Sequence, residues 1–173
     1  MGLDASDLLI RIAELSDVPR IAEIYNQAVV RTVATFDTVE KTLEEMTDWF
    51  NHHGNRHPAT VAVVQRNVAG WASLSQWSDR CAYELTCEAS IYVDEEYRGK
   101  GIGGRLFEDL IVRARAIGMH TILSRIAGGN QISRKMHIDR GFVHLGTMRE
   151  VGLKFGQLLD VDLYQMIFEN PGK

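Results

Sequence analysis

The spacing of apolar residues changes period several times along the chain. "LLIRIAEL" (Leu8–Leu15) is apolar and β-branched enough for a strand. The next segment, "SDVPRIAEIYNQAVVR", puts Ile21, Ile24, Ala28 and Val29 on one helical face. Ser16 or Asp17 can cap it, and Pro19 falls in its first turn, where a missing N–H costs nothing. "TVATFDT" reads as a loop with an isolated aromatic, Phe36. Thr42 and Glu45 then form a capping-box pattern that opens a second helix, "TLEEMTDWFNHHGN". Period two follows in "ATVAVVQRN", "GWASLSQW" and "YELTCEASIYV", which predict three successive strands, the first two joined by a tight turn at Asn67–Gly70. "GIGGRLFEDLIVRARAIG" returns to helical spacing, with Leu106, Leu110, Ala114 and Ile117 on one face and Gly118 as C-cap. "TILSRIA" predicts a short buried strand. "NQISRKMHIDRG" predicts a helix capped by Asn130 and stopped at Gly141. "FVHLGTMREVG" and "QLLDVDLYQMIF" predict two closing strands before a frayed "ENPGK" tail.

The predicted order is β-α-α-β-β-β-α-β-α-β-β, without repeats or a linker. That pattern and the length of 173 residues suit one α/β domain, residues 1–173 with an ordered core from about 8 to 168, in which helices cover both faces of a mixed sheet. A composition of 45% apolar and 24% charged residues excludes a disordered chain, and no apolar run is long enough for a membrane helix. The net charge of -4 argues against a nucleic-acid partner. The N-terminus has no basic stretch or cleavage site of a secretion signal. Gly2 and Ser6 fit a myristoylation pattern, but with no polybasic second signal beside it the match reads as chance. Cys81 and Cys87, on one extended segment, would stand about 20 Å apart, too far for a disulfide. Neither has a metal-ligand spacing, and the histidines form no H-x-x-x-H or H-x-H, so no metal is expected and a reducing cytoplasm is the expected setting.

Chemistry concentrates in "YRGKGIGGRLFEDL". Four glycines fall within six positions, among Arg98, Lys100 and Arg105. Gly99, Gly101 and Gly104 match the dinucleotide pattern G-x-G-x-x-G, yet the loop follows several strands and "LSRIAG" offers no acid for a ribose; no Gly-Lys-Ser/Thr completes a Walker loop either. The other parsing is R-x-x-G-x-G, on Arg98, Gly101 and Gly103. Glycines let successive backbone N–H groups converge, and a helix N-terminus adds free donors and the positive end of its dipole, which together suit a pyrophosphate.

With "GGNQISRKMHIDRGF" downstream, this motif resembles the GNAT family of N-acetyltransferases, and "IYNQAVV", "TFDT", "EASIYVDEEYRGKGIG" and "GLKFGQLLDVDLYQ" resemble its phosphinothricin branch, which includes enzymes acting on methionine sulfone and methionine sulfoximine. The resemblance implies a mixed, mostly antiparallel sheet flanked by helices, acetyl-CoA as co-substrate, a small-molecule amine as acceptor, and a homodimer. For the cofactor it implies Arg98, Gly99, Lys100, Gly101, Ile102, Gly103 and Gly104 around the pyrophosphate, with Asn130 and Ser133 along the pantetheine arm. Asn130 also has an independent reason to be there, as a helix cap.

Acetyl transfer needs a base for the ammonium and a donor for the thioester oxygen. Glu88 shares a strand face with Glu84, Thr86, Ser90 and Tyr92, opposite Leu85, Cys87, Ala89, Ile91 and Val93. Taken alone, it reads as an ordinary carboxylate on a solvated face. Its place ten residues before Arg98, and its match to the branch's V-E-x-x-V-Y-V segment, make it the candidate base, acting through a water. The pantetheine arm is expected along Tyr92 and Val93 by strand-like pairing, with the Val93 N–H as oxyanion donor. His137 stands where many family members have a proton-donating tyrosine; it reads either as general acid or as a packed helix histidine. For the amino-acid acceptor, Arg80, in the loop entering the Glu88 strand, reads either as a carboxylate clamp or as a solvated loop arginine; Phe36 and Thr38 cover the tail, Tyr83 closes the pocket, and Lys154 in the "GLKFG" turn is a second cation or a plain turn lysine. A protein or peptide amine acceptor, and a non-catalytic acyl-CoA sensor, are the alternative readings.

Overall fold

The computed structural model describes residues 8–169; the Gly2–Ser6 pattern and tail residues 170–173 lie outside the described residues. The elements are β1 (Leu8–Ile12), α1 (Val18–Arg31), α2 (Leu43–Asn51), β2 (Ala59–Val64), β3 (Asn67–Gln76), β4 (Thr86–Val93), α3 (Ile102–Ala116), β5 (Thr121–Ala127), α4 (Gln131–Ile138), β6 (Val143–Lys154) and β7 (Gln157–Ile167). Their order is the one the hydrophobic periods predict. Thr42 and Glu45 close a reciprocal capping box at α2, and Asn130 caps α4 by accepting the Ser133 N–H. Gly118, with φ +77°, ends α3 as a left-handed residue.

One sheet runs β1-β2-β3-β4-β5-β7-β6. Every pairing is antiparallel except β4 with β5. Helices cover both faces. On one, α1 and α2 pack Ile21, Ile24 and Met46 on Val61 and Trp71. On the other, α3 buries Leu106, Phe107 and Leu110 on Ala72, Leu74 and Cys87. Period two along β4 sorts the residues as expected: Cys87, Ala89, Ile91 and Val93 join the α3 side, and Tyr92 joins the α1 side.

Three local expectations change. The β2–β3 turn lies at Gln65–Arg66, whose φ values of 48° and 69° make a tight hairpin without glycine. The alternation read back to Tyr83 is not strand: Cys81–Tyr83 form one 3-10 turn, closed by Glu84 N–H on the Cys81 carbonyl, and β4 starts at Thr86. Cys81 and Cys87 therefore do not share an extended segment, and both are free thiols. Lys154 belongs to β6 rather than to a turn, because the chain reverses at Phe155–Gly156.

Candidate active site

The parallel pairing of β4 with β5 covers only Thr86, Cys87 and Glu88, opposite Thr121, Ile122 and Leu123. Beyond Glu88 the strands diverge, while β4 stays paired with β3 to Val93 and β5 with β7 to Ala127. The Asp94 N–H donates to the Ala69 carbonyl on the β3 side, so by alternation the N–H groups of Ile91 and Val93 face the opening. On that side the Val93 carbonyl accepts from Arg98 Nε at 3.0 Å. Val93 thus offers the free donor the sequence suggested. Ile91, unnoticed in the sequence, offers the same donor nearer to Glu88.

The glycine loop ends this opening. Gly99 and Gly101 have φ of +74° and +81°, and Gly101 is the N-cap of α3, so the first amides of α3 have no partner within the helix. Ile102 is anchored in the core. An added Cβ at Gly103 would sit 3.5 Å from Val93 Cγ2 and 3.8 Å from Met136 Sδ, ordinary contact, with any larger side chain entering the groove. A groove of about 700 Å³ runs past Val93, Arg98, Gly99, Gly101–Gly104, Asn130 and Ser133. Lys100 is exposed over the Tyr97 ring, outside that lining. Glycine-borne donors, a converging helix terminus and exposed cations fit a pyrophosphate, and the open β4 edge fits an extended amide-containing arm. Asp94 steadies the loop from behind. Burial alone would raise its pKa, but hydrogen bonds from Gln27, the Glu96 amide and Arg20 outweigh burial and lower it.

A second cavity of about 580 Å³ adjoins the groove, and Ile91, Tyr92, Asn130 and Ser133 line both. Glu88 is on its wall. Both carboxylate oxygens are held by Arg125 of β5, Nε to Oε1 at 2.6 Å and Nη2 to Oε2 at 2.5 Å. Sequence reasoning missed Arg125; its one faint signal is a charge inside the apolar "TILSRIA". Tyr92 packs its ring on Trp71 and Tyr25 at 4.8 and 5.1 Å, and burial pushes its hydroxyl up to about 12.

The other expected residues divide. Phe36 lines the cavity with its ring against Gly152 of β6. Lys154 is buried rather than offered to a substrate: Nζ donates to the Thr35 carbonyl at 2.7 Å, fastening the Phe36 loop, and burial lowers its pKa. Thr38, Arg80 and Tyr83 are exposed and line neither space. For Tyr83 the reason is the 3-10 turn that replaces the expected strand start; Arg80 stands in the loop as expected, at the head of that turn, and does not reach the cavity. His137 is buried among Phe107, Phe142 and Tyr164. Burial lowers its pKa to about 4, and Nδ1–H is committed to the Ser133 carbonyl at 2.8 Å. His137 does line the cavity, but at neutral pH its Nε2 carries a lone pair and no proton to donate. Among the described residues no cluster of three metal-ligating side chains occurs.

Comparison with known proteins agrees with this geometry. The Acetyltransferase (GNAT) family profile matches residues 20–142. The L-methionine sulfoximine/L-methionine sulfone acetyltransferase of Pseudomonas aeruginosa is 38% identical, over 91% of this chain and 92% of that protein. The phosphinothricin N-acetyltransferase of Streptomyces coelicolor is 32% identical, over 92% and 96%. The crystal structure of a GNAT superfamily phosphinothricin acetyltransferase from Sinorhizobium meliloti in complex with acetyl-CoA superposes with a TM-score of 0.91 at 33% identity, covering 96% of this chain and 94% of that one. The chain belongs to the GNAT family and is an acetyl-CoA-dependent N-acetyltransferase.

Proposed function

We propose that the acceptor is a small free amino acid with a polar, oxidised tail, of the methionine sulfone and sulfoximine kind, acetylated by direct transfer in a ternary complex. The observation that carries this reading is the cavity of about 580 Å³ at the end of the co-substrate groove, with Glu88, Phe36 and Tyr92 on its walls. Among the described lining residues Arg125 is the cavity's one cation, beside the two carboxylates Glu88 and Asp37. One cation matches one anionic group, so a neutral sulfone or sulfoximine tail suits the cavity better than the second anion of phosphinothricin. An adjoining cavity of about 400 Å³ shares Asp37, Ser90 and Tyr92 and has Trp71 on its wall. Among the described residues the buried Trp71 indole N–H has no partner, a donor suited to a sulfonyl oxygen. The Pseudomonas aeruginosa relative is named for methionine sulfoximine and sulfone, and the Streptomyces coelicolor relative for phosphinothricin; both names support an amino-acid acceptor, and the first supports this tail.

In this reading Arg98, Gly99, Gly101, Ile102, Gly103 and Gly104 hold the pyrophosphate, with Lys100 adding charge at the mouth. Asn130 and Ser133 flank the pantetheine arm, which lies along the open β4 edge beside Ile91 and Val93; the Tyr92 N–H, which the sequence reading also offered to the arm, faces β3 instead. The N–H groups of Ile91 and Val93 stabilise charge that develops on the thioester oxygen. Glu88 takes the ammonium proton through a water, its two oxygens retaining lone pairs beyond those given to Arg125. Acetyl-CoA supplies the activated acetyl group; positioning supplies much of the rate. No cysteine lines either space, which fits transfer without an acetyl-cysteine step.

A homodimer in the cytoplasm completes the reading. Its support is the apolar exposure of Leu145, Leu153, Leu158 and Ile167 on β6 and β7, and the two unpaired thiols. A monomer mass at micromolar concentration refutes the dimer. Thiol release from acetyl-CoA, measured across amino-acid analogues, polyamines and peptides, tests the acceptor: methionine sulfone and sulfoximine should lead, and a peptide preference refutes the small-acceptor reading.

A further inference from the structure

Arg125 is held at one edge only. Its Nε and Nη2 donate to the two oxygens of Glu88, and its guanidinium stands over the Trp77 ring, 5.5 Å from the centroid. Those contacts use the Nε/Nη2 edge. The two Nη1 protons and the second Nη2 proton have no acceptor among the described residues, and they form the other face of the fork. The side chain is 55% exposed while Glu88 is 16% exposed, so the carboxylate lies deeper and the unused guanidinium edge meets the cavity's solvent.

A free α-amino acid carries an ammonium and a carboxylate on one carbon. The cavity wall carries their complements side by side in one ion pair. We infer that Arg125 is the residue that reads the acceptor's carboxylate: its unused edge clamps that group while Glu88 receives the adjacent ammonium. The inference rests on the amino-acid reading above and moves the clamp from Arg80, which does not line the cavity, to β5. It also gives the Glu88 pair a purpose beyond charge balance. A guanidinium shared between two carboxylates fixes the nitrogen of an amino acid beside the base, whereas an amine without a carboxylate lacks that anchor.

Losing Arg125 also frees Glu88, so a fall in activity alone decides nothing. The deciding quantity is the preference for methionine sulfone over the amine that lacks its carboxylate, 3-(methylsulfonyl)propylamine, measured as the ratio of kcat/KM values. The intrinsic difference in amine basicity cancels when this ratio is compared between enzymes. The wild type should prefer the amino acid by roughly 10–100-fold, the scale of a hydrogen-bonded charge pair. Arg125→Ala should lose most of that preference, mainly through KM for the amino acid. Arg125→Lys should keep part of it, and Arg80→Ala all of it. Unchanged thermal midpoints confirm that the variants are folded. An Arg125→Ala enzyme that slows on both acceptors by the same factor and keeps the wild-type ratio overturns the inference and leaves the proposed function standing. A wild type that turns over neither acceptor, yet acetylates another amine class, overturns the amino-acid reading itself and the inference with it.

Discussion

Acidification should weaken this fold through His137. The ring is buried and neutral in the native protein, with its pKa lowered to about 4 from an ordinary 6.5 by burial. The unfolded chain therefore takes up the proton first as pH falls. The contribution is complete above about pH 6.5 and is lost progressively down to about 4. The full gap corresponds to about 3 kcal/mol, of which about 2 kcal/mol is gone by pH 5. For a chain of 173 residues that is a drop of roughly 4–8 °C in thermal midpoint between pH 7 and pH 5. Burial lowers the pKa of His53 too, with the same sign, so the wild-type curve alone does not isolate one residue. His137→Leu removes the titration and keeps an apolar side chain against Phe107, Phe142 and Tyr164. The variant starts lower, having lost the Nδ1–H bond to Ser133, but its decline from pH 7 to 5 should be smaller than the wild type's by that roughly 4–8 °C. Calorimetry of both proteins at the two pH values measures it. Equal declines would show that His137 is not held neutral, and would reopen its candidacy as proton donor.

Other substitutions probe the site directly. Gly103→Val should fold normally, since the added Cβ makes ordinary contacts, but should abolish acetyl-CoA binding by calorimetric titration; retained affinity refutes the pyrophosphate assignment. Glu88→Gln should lower kcat by roughly 10²–10⁴-fold with little change in acetyl-CoA affinity, and a wild-type rate at neutral pH places the base elsewhere. Gly152→Ala puts a Cβ 2.1 Å from Phe36 Cε2, so the ring must move out of its place on the cavity wall. Acceptor KM should rise while acetyl-CoA KM holds, and an unchanged acceptor KM shows that Phe36 does not bound the substrate.

Much of this architecture was legible because its signals are local. The capping pair Thr42 and Glu45, the alternation from Cys87 to Val93 and the glycines before Ile102 each encode their conformation within a few residues. What escaped depends on distance. Arg125 meets Glu88 across 37 residues, and no pattern within "TILSRIA" says which carboxylate it finds. Strand order is equally non-local: β7 lies between β5 and β6 although it follows both in the chain. Lys154 misled because a lysine near glycine normally means solvent, whereas its partner is the Thr35 carbonyl, 119 residues away. Tyr83 misled because its apolar-polar alternation is interrupted by a turn closed through backbone bonds, which leave no mark in side-chain identity, and Arg80 because its chemistry and its nearness in sequence to Glu88 say nothing of where the loop carries it.

The divergence of β4 and β5 leaves an unusual kind of vacancy, a sheet with rungs missing in its middle rather than at its rim. Among the described residues, the backbone amides at Ile91 and Val93 face that gap without a strand opposite them. With the proposed seating of the pantetheine arm, the co-substrate is for those residues a strand as much as a reagent, and each catalytic cycle zips and unzips a seam through the centre of the molecule. The resting enzyme should then be softest along that seam. Saturating acetyl-CoA at a hundredfold excess over its Kd stabilises the native state by about 2.7 kcal/mol. Slowed amide exchange should concentrate at Ile91 and Val93 and at the first turn of α3, which holds the pyrophosphate in the same reading. Turnover and mechanical integrity share one set of hydrogen bonds, so a variant that stiffens the empty seam should hold its fold better and its substrate worse.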